Sequence, residues 1–166
     1  MATFKKQKIV SATKESIWEV LSNYGDIYKF NPGVSKSYIS SVQDQGIGAT
    51  RVCELLPIGK VSETIIEWNE GNGFLIQVNP IEKLPPIESF TGYFEIEKLS
   101  VNTSRVSVTI NYKMKLGVTG KILNKILIQP KLEKSIIDLL SGLKTYVEKD
   151  VLITDEKFLH SILKHA

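Results

Sequence analysis

The chain has 166 residues and a formal charge of +3, from 21 Lys and Arg against 18 Asp and Glu; 42% of it is hydrophobic and 23% charged. That is the length and composition of one globular domain able to bury a substantial core, and no apolar run approaches the ~20 residues of a membrane-spanning helix. The single cysteine, Cys53, excludes an internal disulfide, and the N-terminus MATFKKQKIV has no apolar h-region or cleavage site, so a reducing, cytoplasmic location is expected.

Phe4 to Ser11 reads as a first strand. A helix follows from Ala12, with Thr13 or Ser11 as N-cap and Ile17, Trp18, Val20 and Leu21 as its buried side. A second short helical piece runs from Asn23 to Phe30, and Asn31-Pro32-Gly33 ends it, because proline biases the residue before it away from helix. Strands then come at short intervals: Val34–Val42, Ala49–Leu56, Lys60–Trp68, Phe74–Asn79, Phe90–Leu99 and Arg105–Met114. Such spacing predicts an antiparallel meander rather than βαβ units. In the last two strands Phe90, Phe94, Ile96, Val108, Ile110 and Tyr112 alternate with polar residues, the pattern of a sheet with one apolar face. After Gly117 the period becomes helical, with a stripe of Ile122, Ile126, Leu132, Ile136, Leu139, Leu140, Leu143 and Val147 interrupted by Pro130, which should kink the helix or divide it. Residues 1–150 form the predicted domain, and 151–166 an amphipathic tail with Phe158, Ile162 and Leu163 on its apolar side.

The stretch Gly46 to Trp68 carries the most specific signal. Two strands folded about a Pro-Ile-Gly turn centred near Ile58 would set Cys53 opposite Glu63 and Leu55 opposite Val61. Arg51 would then lie diagonal to Glu63 on the same face; a slip of one residue would separate them. An inward-facing Arg51–Glu63 pair inside an apolar sheet is costly unless something compensates it, such as a bound ligand. The opposite face of the second strand, Thr64, Ile66 and Trp68, is equally apolar, so the hairpin alone does not decide which side turns inward.

Both histidines, His160 and His165, fall in the last seven residues. The domain body thus offers no histidine as base for a serine or cysteine nucleophile or as a zinc or non-haem iron ligand. No phosphate-binding glycine loop is present, since Gly46-Ile47-Gly48 fits neither dinucleotide nor P-loop spacing. No metal and no cofactor is therefore expected. Charge is segregated: Lys98 to Leu132 has no acidic residue, while Val52 to Glu97 is acidic in balance. This is either a solvated lysine face or a surface for an anionic partner. Basic residues are not interleaved with aromatics as in nucleic-acid modules, and no nucleic-acid partner is expected.

Ile17-Trp18-Glu19-Val20-Leu21, Tyr24-Gly25-Asp26, Phe30-Asn31-Pro32-Gly33-Val34, Gly48-Ala49-Thr50-Arg51, Glu63 and Gly142-Leu143-Lys144, in that order, resemble the START-like (Bet v 1-like, SRPBCC) superfamily, in its polyketide cyclase/dehydrase and lipid-transport branch. The resemblance implies an α+β helix-grip fold: a curved antiparallel sheet of about seven strands, two short helices after the first strand, and a long C-terminal helix gripped by the sheet over a cavity. Leu56-Pro57 and Ser62-Glu63-Thr64 also resemble plant abscisic-acid receptors, in which the corresponding loop gates the ligand and the glutamate reaches it through water. The chain departs from those receptors in lacking the Ser-Gly before the loop and the latch histidine-arginine pair before Phe90. From these readings Arg51, Cys53, Leu55, Glu63, Phe74, Ile76, Phe90, Phe94, Ile110, Tyr112 and Ile126 are the candidate ligand-binding residues. Tyr112 is the favoured orienting hydroxyl, because a buried phenol must find a partner. The expected function is binding of a small or medium hydrophobic molecule (lipid, polyketide or isoprenoid), by a monomer or homodimer. The alternatives are a metal-free cyclase or dehydratase, and a lipid- or quinone-delivery or protein-interaction module with peripheral membrane contact.

Overall fold

A computed structural model describes residues 1–56, 59–82, 87–115 and 124–150, with the backbone alone at 124 and 126. The elements in order are β1 (Ala2–Val10), α1 (Lys14–Ser22), a 3₁₀ helix (Tyr24–Lys29), β2 (Val34–Ile39), β3 (Thr50–Leu55), β4 (Gly59–Asn69), β5 (Gly73–Pro80), β6 (Ile87–Ser100), β7 (Thr103–Met114), a π-helical turn (Asn124–Ile128) and α2 (Gln129–Lys149). All neighbouring strands pair antiparallel, in the order β1-β7-β6-β5-β4-β3-β2. This is the helix-grip α+β architecture.

Local chemistry sets the element ends. Thr13 caps α1, its hydroxyl accepting from the Ser16 amide at 3.1 Å, and the helix buries Ile17, Trp18 and Leu21. Pro130 stands in the first turn of α2, where a missing N–H costs nothing. The apolar stripe is therefore divided at this proline, with a π-helical turn before it and an unbroken α-helix after it. Leu139, Leu140 and Leu143 are buried, and Leu132, Ile136 and Val147 pack partly buried against the same core. Ile122, the tail 151–166 and the Ile126 side chain lie outside the described residues.

The β3–β4 register corrects the expected pairing. Cys53 stands opposite Val61, Leu55 opposite Gly59, and Arg51 directly opposite Glu63. The pairing is thus shifted by two residues from the expected one. Side-chain direction repeats every two residues, so this slip leaves every residue on its expected face. β4 also carries a bulge between Ile65 and Glu67. The bulge reverses the alternation, so Glu63, Ile65 and Trp68 all point inward while Ile66 is exposed. Further irregularities in β2 and β6 add to the bending that wraps the sheet around α2.

The concave interior has two unlike halves. At the end formed by α1 and the start of β5, Phe74 stacks on Trp68 and Phe94 at 5.7 and 5.0 Å and packs beside Trp18 and Tyr24 at 6.3 and 5.8 Å. The two indoles share one acceptor, Trp18 Nε1 and Trp68 Nε1 donating to the Glu70 carboxylate at 2.9 and 2.6 Å. At the other end, where β5 finishes and α2 begins, the interior is hollow.

Along β1 the inward positions Lys6 and Lys8 hold the helix by polar contacts: Lys6 Nζ pairs with Glu133 at 2.6 Å and Lys8 Nζ donates to Ser141 at 2.7 Å. Near the far end of α2, Glu148 accepts from Lys144 at 2.7 Å and from the Ser11 amide at 2.6 Å. Hydrogen bonds from Lys6 and Gln129 hold the Glu133 carboxyl below its usual range. Partial burial acts to raise Glu148, but the bonds from Lys144 and Ser11 outweigh it, and its pKa is also depressed. A carboxylate depressed in the folded state stabilises the protein above its unfolded pKa of about 4.3, and that contribution is lost as pH falls through the folded value. The melting temperature is expected to fall steeply below about pH 4, and less steeply in Glu148→Gln. Parallel acid limbs for the two proteins would show that the helix tether does not contribute.

Candidate functional site: the hollow between sheet and C-terminal helix

The hollow is a cavity of about 230 Å³. β3 and β4 contribute Arg51, Leu55, Val61 and Glu63; β5, β6 and β7 contribute Ile76, Val78, Phe90, Gly92, Phe94 and Ile110. α2 and the turn before it close the opposite side with Ile128, Leu132, Ile136 and Leu139, and Ile27 and Val34 close a third. Polar groups are few. Asn79, Glu88, Ser89 and Lys131 border the cavity. Apolar walls with a few placed polar groups are the usual make-up of a small-molecule site.

Asn31 and Ser135 also contribute to the lining, and its largely buried charged groups are Arg51 and Glu63. The Arg51 guanidinium, 3% exposed, meets Glu63 Oε2 through Nε at 2.7 Å and Nη2 at 2.6 Å. Its Nη1 donates to the Tyr24 carbonyl at 2.7 Å, and its Cζ lies 4.0 Å from the centre of the Tyr24 ring. The Tyr24 hydroxyl in turn donates to the Glu63 backbone carbonyl at 3.0 Å. Thus the 3₁₀ helix locks the hairpin's ion pair from behind by a hydrogen bond, a ring face and a second hydrogen bond. This trio stands at the seam between the aromatic packing and the hollow.

The same surroundings fix protonation. Burial acts to lower the Arg51 pKa, but the carboxylate of Glu63 and the neighbouring Tyr24 more than offset it, so Arg51 is held as a cation. Burial, with Glu63 adding to it, pushes the Cys53 thiol far above the ordinary range, and burial does the same to the Tyr24 phenol despite Arg51. Neither group is a ready nucleophile or proton carrier at neutral pH. Cys53 is therefore expected to resist a water-soluble disulfide reagent at pH 8 in the native protein and to react at once in denaturant. Rapid native reaction would contradict its burial.

Of the candidate binding residues, Arg51, Leu55, Glu63, Ile76, Phe90, Phe94 and Ile110 line the cavity. Cys53, Phe74 and Tyr112 share the concave face but not the cavity wall: Cys53 lies behind the ion pair, Phe74 belongs to the aromatic cluster, and Tyr112 packs between Phe4 and Phe90 at 6.4 and 6.2 Å. Ile126 has its backbone in the π-helical turn. Two participants escaped the sequence reading. Tyr24 gives no local signal of its role. Gly92 does: a glycine between the inward Phe90 and Phe94 marks a strand position where space is kept, and a Cβ there would come within 3.4 Å of Ile76 and Ile110. Among the described residues, no group of three His, Cys, Asp or Glu is placed to hold a metal ion, and no helix is long and apolar enough to cross a membrane.

A curved sheet gripping a helix over an apolar cavity is the helix-grip arrangement. The family described as polyketide cyclase / dehydrase and lipid transport matches residues 1–148, and the chain belongs to it. A search of the curated proteins found no match. Among solved structures it is similar to the Zhui aromatase/cyclase of Streptomyces sp. R1128, with a TM-score of 0.74 at 12% identity over 89% of this chain and 94% of that one. It is also similar to a START superfamily protein of Mycobacterium smegmatis, with a TM-score of 0.67 at 17% identity over 89% and 97% of the two chains. The protein XoxI of Bacillus cereus gives a TM-score of 0.72 at 12% identity over 90% and 97%. At these identities the likeness speaks for the fold.

Proposed function

We propose that the protein binds a small hydrophobic molecule in the cavity between sheet and α2. One observation carries the reading: an apolar hollow of about 230 Å³ with a buried ion pair facing it. A dry cavity of about 150 Å³ holds a benzene molecule. On that scale this hollow suits about ten carbon atoms, such as a bicyclic ring system, a monoterpenoid or one segment of a longer chain.

Ring-closing or dehydrating chemistry, which the family description and the Zhui likeness support, is the weaker reading. The Cys53 thiol and Tyr24 phenol beside the ion pair are held protonated, and Arg51 is bound by Glu63 and Tyr24.

Native mass spectrometry of the purified protein, with solvent extraction of what it carries, tests the binding reading. A retained apolar molecule, or stabilisation by apolar probes of about ten carbons, is the expected result. Neither retention nor stabilisation across such a panel would overturn it.

A further inference from the structure

At the polar end of the cavity, Arg51 and Glu63 keep donor and acceptor capacity that they do not spend on each other. Both guanidinium bonds to Glu63 go to Oε2; Oε1 receives no N–H or O–H donor among the described residues, and the further side-chain donor beside this carboxylate is the weak thiol of Cys53. A guanidinium has five N–H groups; here Nε, one on Nη2 and one on Nη1 are engaged by Glu63 and Tyr24. Both residues line the hollow, and Glu63 keeps 13% of its side chain exposed. The pair is also electrically closed, since the charge of Arg51 is already met by Glu63 at 2.6 Å.

We propose that this end of the cavity selects a neutral hydroxyl, as in a phenol or an alcohol, and rejects a carboxylate. A hydroxyl is both donor and acceptor, so it satisfies Glu63 Oε1 and a spare Arg51 N–H together. A carbonyl offers an acceptor alone and leaves Glu63 unmet. A carboxylate brings a second negative charge against Glu63, with no uncommitted interior cation among the described residues to balance it. Lys131, the cation bordering the hollow on α2, is exposed, and a solvated lysine offsets little of the cost of burying an anion. The inference rests on the binding reading and adds the ligand's chemical class to it.

Three probes of matched ring size test it by calorimetry at pH 7: naphthalene, 2-naphthol (neutral) and 2-naphthoate (ionised). The expected order is naphthol tighter than naphthalene by about tenfold, as one hydrogen-bonded charged acceptor gives, and naphthoate weaker than naphthalene. In Glu63→Gln the carboxylate of naphthoate becomes the missing partner of Arg51, so the order of naphthol and naphthoate should reverse. Where that variant folds poorly, the wild-type order decides alone. Naphthalene binding with naphthol no tighter, or naphthoate as tight as naphthol, would overturn the selection while leaving the cavity a binding site. Failure of all three probes would overturn the selection, and together with the absence of any retained apolar molecule it would overturn the binding reading as well.

Discussion

Replacing Glu63 with alanine is expected to lower the stability of the free protein by about 3–5 kcal/mol, because it strands a buried guanidinium without its counter-charge. For a chain of this size that is a fall in melting temperature of roughly 10 °C. The number follows from burial: Arg51 is 3% exposed and Glu63 13%, whereas Lys113 and Glu88, a pair of similar length on the rim, are 54% and 48% exposed. Glu88→Ala should therefore cost under about 1 kcal/mol. The double change Arg51→Met with Glu63→Leu should recover most of the loss, since a buried pair replaced whole by apolar side chains is often neutral. Urea unfolding of the three variants measures all of this. Equal small shifts for Glu63→Ala and Glu88→Ala would mean that water reaches the pair freely.

Much of this arrangement was legible in the sequence, for reasons that also mark where legibility ended. The clean alternation of β6 and β7 marks their inward faces, and the sequence puts Arg51 and Glu63 on one face although the pairing it predicts is shifted by two residues. A shift of two leaves each side chain on its face, because two is the period of a strand. The bulge at Ile66 was not legible. It lets Trp68 join the interior together with Glu63, two outcomes that an unbroken strand makes exclusive. Alternation also says which face turns inward but not which part of that face is filled. The division of the concave surface depends on α1 and the 3₁₀ helix, which bring Trp18 and Tyr24 over Phe74 and leave Phe90 and Ile110 facing a hollow. No local pattern reports how a helix docks on a distant strand, so the role of Tyr24 is not legible in the sequence, and Phe74 reads as cavity wall although it belongs to the aromatic cluster.

Phe74 and Phe90 should respond to truncation differently, Phe74 mainly in stability and Phe90 mainly in ligand affinity. Phe74→Ala is expected to cost about 3–5 kcal/mol, the range for a fully packed aromatic. Its ring touches Trp18, Tyr24, Trp68 and Phe94, and the void left is enclosed by rigid rings that cannot collapse into it. The tryptophan emission should change with it, since both indoles lose a neighbour. Phe90 is half-buried beside the hollow, so much of its surface lacks a protein partner in the free state. Phe90→Ala should cost roughly 1–2 kcal/mol of stability, yet weaken an apolar ligand by about tenfold through the lost contact. Unfolding curves and ligand titrations on the two variants separate the roles. A large stability loss at Phe90 with none at Phe74 would mean that the aromatic end, not the α2 end, is the open half of the fold.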